Sequence, residues 1–415
     1  MAAMQKNNLN VCEATDDPGS TWNPPTTIAH TIPYEIINAI IIAVAAQPSH
    51  RSTRSTLAAF SAVASHFRNL AQMLLFRDLT IAFTDPKSES LQGSLSSNSR
   101  LCSFVEKLTL SIPSFPIQWD PLPTLPCVRK LEILGHPNHW SMAWYDLPET
   151  LRWNLGNIFQ GPSLHSVTVK KIHYIPIGAL CFGPGVHTLV LKAASIWYNN
   201  KNRITDGAFA RRTEPPRTYL RTLILRDRSA IDSSSLSVLG GASFLPSVAR
   251  LQGFTIDIKD DMDVDQCRGI LRLAGLSMVE LTLKFKPACA IWRKINLPNL
   301  SNLQRIFFLA QEPASLKHTV RVLEIMPETN KLANVTLTVS STLCMKWMES
   351  LSENDMYASA PALVGQELDK VLGRARHSEL RRVTIIPLSD QNSRLSDIFK
   401  ETMPHLSTSG RLDLG

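Results

Sequence analysis

The chain has 415 residues, 44% of them hydrophobic, and a formal net charge of +8. That length and apolar content exclude a disordered or fibrous chain and leave room for more than one domain. Seven scattered cysteines with no CxxC pair exclude a disulfide framework and a zinc-ribbon site, and suit reduced thiols in the cytoplasm and/or nucleus.

Residues 1–29 are polar, with Pro18-Gly19 and Pro24-Pro25, and are expected to form a flexible arm. Glu13, Asp16 and Asp17 lie where a signal peptide would be apolar, so none is expected. Residues 1–100 hold 7 Lys/Arg and 7 Asp/Glu, which places the whole basic excess after residue 100. A basic later region favours acidic partners or nucleic acid. No dense Lys/Arg run with interleaved aromatics stands there, so a solvated basic surface is the plainer reading and no nucleic-acid partner is expected.

Residues 32–76 carry the strongest local pattern. Pro33 suits a first helical turn, Thr31 is placed to act as N-cap, and Glu35 suits the helix dipole. Ile36, Ile37, Ile40, Ile41 and Val44 form a broad helical stripe. A polar gap is expected over residues 47–56. A second helical face follows with Leu57, Phe60, Val63, Ala64, Phe67 and Leu70. The uncharged run 36–46 is about half of the ~20 residues that span a bilayer, so no membrane partner is expected. An ordinary helical hairpin in a globular core is the plain alternative.

This stretch resembles the F-box, which reads Leu-Pro-x-Glu-(Leu/Ile)-(Leu/Ile)-x-x-Ile and later Leu-x-x-(Val/Cys)-(Ser/Cys)-(Arg/Lys)-x-(Trp/Phe)-Arg. Ile32-Pro33-Tyr34-Glu35-Ile36-Ile37 through Ile40, and Phe60 through Val63, Phe67 and Arg68, occupy those places in order. Ile32 stands for Leu, Ala64 for Ser or Cys, and Ser65 for the basic residue. The resemblance implies an adaptor-binding surface drawn from Ile32, Pro33, Ile36, Ile37, Ile40, Leu57, Val63 and Phe67, some of which must pack inward.

Residues 84–99, rich in Ser, are expected to form a loop. From Phe76 onward a unit recurs as apolar-x-x-apolar-x-apolar. It begins at Phe76, Val105, Val128, Leu164, Val186, Leu220, Leu251, Met278, Leu303, Leu332 and Leu380. The alternation in its last positions predicts a half-buried strand. Segments 264–276, 315–326 and 363–375 have helical spacing between units. Strand, crossover and strand imply parallel pairing. The tail 403–415 is expected to add a final turn and short strand. A non-repetitive α/β domain with a parallel sheet is the alternative.

The series resembles a leucine-rich-repeat solenoid, although His136, Ala194 and Arg228 stand where that family places Asn or Cys. Unit spacing is roughly 20–50 residues against the family's roughly 20–29. The implied fold class is α/β: a short N-terminal helical F-box (30–78), then an irregular leucine-rich-repeat-like βα solenoid with a parallel curved sheet (79–415). The whole resembles the F-box-like proteins that mushroom-forming fungi hold in large sets.

No catalytic signature stands out. Asp257, Asp260, Asp261, Asp263 and Asp265 invite a calcium reading, but Gln266 and Arg272 occupy the places of the required Gly and Glu. The plainer reading is a solvated loop entering a helix at Val264. His136-Pro-Asn-His139, near Trp140 and Trp144, lacks further metal ligands. Gly183-Pro-Gly185 reads as a turn, and no phosphate-loop, GxSxG or HExxH motif occurs. No cofactor, metal or enzymatic activity is expected. The resemblance implies a substrate receptor that docks a Skp-family adaptor, and through it a cullin, while the repeats hold an unnamed client protein. The alternative is a repeat scaffold without a ubiquitin link, its N-terminal helices capping the array.

Overall fold

The structure, a computed structural model, describes residues 34–47, 50–63, 65–83, 85–113, 122–136, 142–180, 182–197, 219–232, 234–236, 247–285, 300–326, 330–345, 360–373, 377–388 and 392–414. The expected arm 1–29, Thr31, Ile32 and Pro33 lie outside the described residues, as do residues 137–141. The chain divides into two compact units, Met1–Gln72 and Met73–Gly415.

The first unit is helical. Helices α1 (Tyr34–Ala45), α2 (His50–Val63) and α3 (Ser65–Arg77) follow one another closely, and the boundary between the units falls inside α3. Two expectations are corrected. The polar gap over 47–56 is helical from His50 onward, and the second apolar face is divided between two helices, one ending at Val63 and the next starting at Ser65. Polar residues hold the start of α2 without apolar periodicity. The hydroxyls of Ser55 and Thr56 both donate to the Ser52 carbonyl at 2.9 Å, the back-bonding that lets Ser and Thr sit in a helix.

The second unit is built on one twelve-stranded sheet. Its strands are β1 (Asp78–Ala82), β2 (Lys107–Ser111), β3 (Lys130–Leu134), β4 (Ser166–Lys170), β5 (Thr188–Lys192) and β6 (Thr222–Arg226). Then come β7 (Gly253–Ile258), β8 (Glu280–Phe285), β9 (Arg305–Ala310), β10 (Asn334–Val339), β11 (Arg382–Pro387) and β12 (Leu412–Leu414). Spatial order equals chain order, and every neighbouring pair is parallel. All eleven apolar units read from the sequence are strands of this sheet, and the tail supplies the twelfth.

The reason is visible in the register. Leu108, Leu131, Val167, Leu189, Leu223, Phe254, Leu281, Ile306, Val335 and Val383 lie opposite one another in a single row, each at most 2% exposed. Two places on, Leu110, Ile133, Val169, Leu191, Leu225, Ile256, Leu283, Phe308, Leu337 and Ile385 form a second buried row. A fully buried Leu, Ile or Val contributes roughly 1.5–3 kcal/mol, and each repeat supplies two such side chains to one continuous core. The unit's first apolar residue, from Val105 to Leu380, is buried too and closes the turn into the strand.

Where the connections are described, several carry helices or short secondary strands. Helices α4 (Pro86–Ser97) and α5 (Ser99–Phe104) lie between β1 and β2, and α6 (Glu149–Phe159) between β3 and β4. Helix α7 (Asp261–Ala274) lies between β7 and β8, and α8 (Pro313–Glu324) between β9 and β10. Helices α9 (Ala360–Leu372), α10 (Asn392–Thr402) and α11 (Pro404–Thr408) complete the C-terminal part. The three helical segments expected at 264–276, 315–326 and 363–375 correspond to α7, α8 and α9.

The Ser-rich loop expected at 84–99 is a helix. Asp85 accepts a hydrogen bond from the Lys87 amide at 3.0 Å, Pro86 opens the first turn, and Leu95 is fully buried. The cap, the buried Leu95, Leu91 at the core's edge and Ser88, which accepts from the Ala82 amide at 3.1 Å, outweigh the low helix propensity of the serines. After β4, β5 and β6 the chain turns through a left-handed residue: Lys171 (φ 57°), Ala193 (φ 49°) and Asp227 (φ 55°). At the matching place after β3 stands Gly135, where a Cβ would meet the Lys171 carbonyl oxygen at 2.5 Å. Among the described residues no helix is long and apolar enough to cross a membrane.

Candidate functional site

Helix α1 holds one charge, Glu35, and seven large or branched apolar or aromatic side chains in twelve residues. Such a helix is buried all round or incompletely covered. Here it is incompletely covered. Ile37 (6% exposed) and Ile41 (0%) face inward on the side packed against α2, whose Thr53 and Leu57 are also buried. Ile36 (51%), Ile40 (47%) and Ile42 (54%) are exposed. At 100° per residue, Ile42, Glu35, Ala39, Ala43, Ile36 and Ile40 follow one another around ~160° of the helix, and all six are exposed, with the one charge in the first turn about two turns from Ile42. Three half-exposed isoleucines on one helix face form the kind of contiguous apolar patch that marks an interaction surface.

The remaining expected site residues are sorted by the same packing. Among the residues from which the adaptor surface is drawn, some of them expected to pack inward, Ile37 and Leu57 are buried. Phe67 is half-buried, its ring centroid 6.1 Å from that of Phe60 and tilted by 54°. The Arg68 Nε donates to the Ser61 carbonyl at 3.2 Å, which ties α3 to α2. Val63 is the last residue of α2, and its side chain lies outside the described atoms, as do Ile32 and Pro33. The exposed isoleucine that sequence reasoning omitted is Ile42. Its signal was its angle relative to Ile36, which becomes meaningful only once α2 fixes the buried side.

The open face of the sheet is the second candidate surface. Residues alternate with the buried rows, so one row reads Thr80, Thr109, Glu132, Thr168, Val190, Ile224, Thr255, Thr282, Phe307, Thr336, Thr384 and Asp413. Threonine stands on seven of twelve strands. Its branched Cβ suits a pleated surface, and its hydroxyl leaves that surface polar without charge. Ion pairs cross the face between strands: Lys170 to Glu132 at 2.6 Å and Arg305 to Glu280 at 3.1 Å.

The acidic cluster reads differently in three dimensions. Asp257 lies on β7 with its side chain 2% exposed, 3.9 Å from the Lys284 ammonium. Asp261, Asp263 and Asp265 are in helix α7, which starts at Asp261 and not at Val264, so the expected solvated loop is corrected. Asp260 is its N-cap, accepting from the Asp263 amide at 3.1 Å, while Asp263 accepts from the Lys259 amide at 2.8 Å. Burial pushes the Asp263 carboxyl up, and its backbone hydrogen bonds pull it partly back. Asp260 and Asp263 thus secure the start of the helix. Among the described residues no group of three or more His, Cys, Asp or Glu is placed to hold a metal ion. Cys267 is fully buried, and that burial, with Asp263 nearby, pushes its thiol up to about 12, the opposite of a reactive cysteine.

No protein-family model matches the chain, and no curated protein matches it significantly.

Proposed function

We propose that the protein is a non-catalytic substrate receptor. The exposed face of α1 docks a Skp-family adaptor, and the repeat array, read as a leucine-rich-repeat-like solenoid, holds a client protein. The observation that carries the reading is the exposed arc Ile36, Ile40 and Ile42 on a helix whose other side is already packed. Leaving three isoleucines in water is a cost that a partner helix would remove, at roughly 25 cal/mol per Å² covered. The motif spelling around that arc is what names the partner. The receptor supplies no reacting group. It brings a client beside the cullin-bound conjugating machinery and raises the effective concentration of the client's lysines.

The test is co-expression of the full chain with a Skp-family adaptor, followed by gel filtration. Co-elution is expected. Elution of the two proteins apart sinks the adaptor reading and leaves the array as a scaffold with no ubiquitin link.

A further inference from the structure

Charge is handled differently along the array. Directly before β3, β4, β5 and β6 stand Arg129, His165, His187 and Arg221. Each of the first three lends its carbonyl to two amides of the next repeat: Arg129 to His165 (2.8 Å) and Ser166 (3.1 Å), His165 to His187 and Thr188 (both 3.1 Å), and His187 to Arg221 (2.8 Å) and Thr222 (3.0 Å). This carbonyl chain fixes the four residues in one row, one per strand. Adjacent strands lie ~4.8 Å apart, so the row is ~14 Å long. Arg129, His165 and Arg221 are exposed and His187 is half-buried. The rings of His165 and His187 are 5.5 Å apart. Lys130, also exposed, adds a further cation beside Arg129.

The contrast lies on the far side of the same sheet. There Arg305 pairs with Glu280, and Arg382 with Asp413. Among the described residues Arg129, Lys130 and Arg221 have no carboxylate within ion-pair distance; Glu106 begins the same row before β2 without pairing to Arg129. Arg129 and Arg221 stand three strands apart with the two histidines between them, so the row presents spaced cations and not a repulsive pair.

We propose that this row binds an acidic segment of a partner protein, about four or five residues rich in Asp or Glu laid across β3–β6. The proposal rests on reading the array as the client-holding domain and names the chemistry of that client. A peptide fits better than a nucleic acid. The row is one residue wide, against the roughly 6–10 phosphate contacts of a typical DNA site. One face of the aromatic beside it, Tyr219, is already covered by the Arg250 guanidinium 4.1 Å above its ring.

His187 adds pH dependence. Burial first, then His165 and Arg221, holds His187 below its ordinary pKa, so it gains charge only below the usual histidine range. The charged groups facing the pair are Arg129, Lys130 and Arg221 on the neighbouring strand starts. The adjoining turns 160–164 and 183–186 contain none. Protonation adds positive charge, and affinity for an acidic segment rises as pH falls.

The experiment titrates the full chain with a fluorescein-labelled hexaglutamate peptide, followed by anisotropy at about pH 5.5 and about pH 8. Saturable binding is expected, tighter at the lower pH. Arg129→Glu with Arg221→Glu weakens it about tenfold, while Arg305→Glu leaves it unchanged. His165→Gln with His187→Gln keeps binding at the higher pH and removes the tightening. Circular dichroism melts check folding, and Arg129→Gln with Arg221→Gln replaces the reversal if that variant does not fold. The proposal is overturned by an absence of saturable binding at both pH values, by unweakened binding in the Arg129/Arg221 variants, or by an oligothymidine of equal charge binding more tightly than the peptide. Adaptor co-elution is read in parallel. Its loss with peptide binding kept defeats only the adaptor reading, and the converse defeats only this one.

Discussion

Ile36 in helix α1 and Leu108 in strand β2 are similar side chains, both found by periodicity, yet one is half exposed and the other fully buried. In the array every strand between the two edges meets a neighbour of similar pattern on each side, so the apolar rows cover one another down the sheet. In the first unit, α1 has an apolar face wider than α2 can cover. The repeat core is satisfied by repetition. The helix face is left over, and that remainder is what the proposed docking surface is drawn from.

The comparison breaks first in the core. Phe308, 1% exposed and stacked on Phe285 with centroids 6.5 Å apart, is expected to lose about 3–5 kcal/mol of stability on Phe308→Ala in urea unfolding. A cost no larger than that of a surface change on α1 would remove the distinction between the two regions. The next effect is polar. The buried Asp369 carboxylate on α9 accepts from the His405 amide at 3.1 Å and the Leu406 amide at 2.9 Å, holding α11 in place. Asp369→Ala strands both amides and is expected to cost about 1–3 kcal/mol, with faster hydrogen exchange at residues 404–408 than elsewhere. Smaller again, Asp85→Ala removes the α4 cap at about 1 kcal/mol, read as increased exchange confined to that helix. At the bottom of the scale, Ile36→Asp with Ile40→Asp is expected to change stability by less than about 0.5 kcal/mol.

The sheet was legible because each strand repeats the same six-residue pattern, and a pattern that is buried on one face only has one possible register. Helix α4 was hidden because its sequence is rich in serine, and its anchors are few: the Asp85 cap, the buried Leu95 and Ser88, and Leu91 packed at the core's edge. The start of α2 was hidden for a similar reason: Arg51–Thr56 carries no apolar period, and its Ser and Thr side chains satisfy themselves against the helix backbone. On α1 the stripe was legible but its two sides were not, since only the packing of α2 separates Ile37 and Ile41 from Ile36 and Ile40. The cationic row was invisible because Arg129, His165, His187 and Arg221 are far apart in the chain. Only the strand register sets them side by side, and no sequence window contains more than two of them.

The most direct measurement takes Ile36→Asp with Ile40→Asp in the full chain and reads adaptor affinity and thermal unfolding on the same sample. The account predicts that adaptor binding is lost while the cooperative unfolding transition stays where it was. Adaptor binding at full strength, or a chain that no longer unfolds cooperatively, would contradict it.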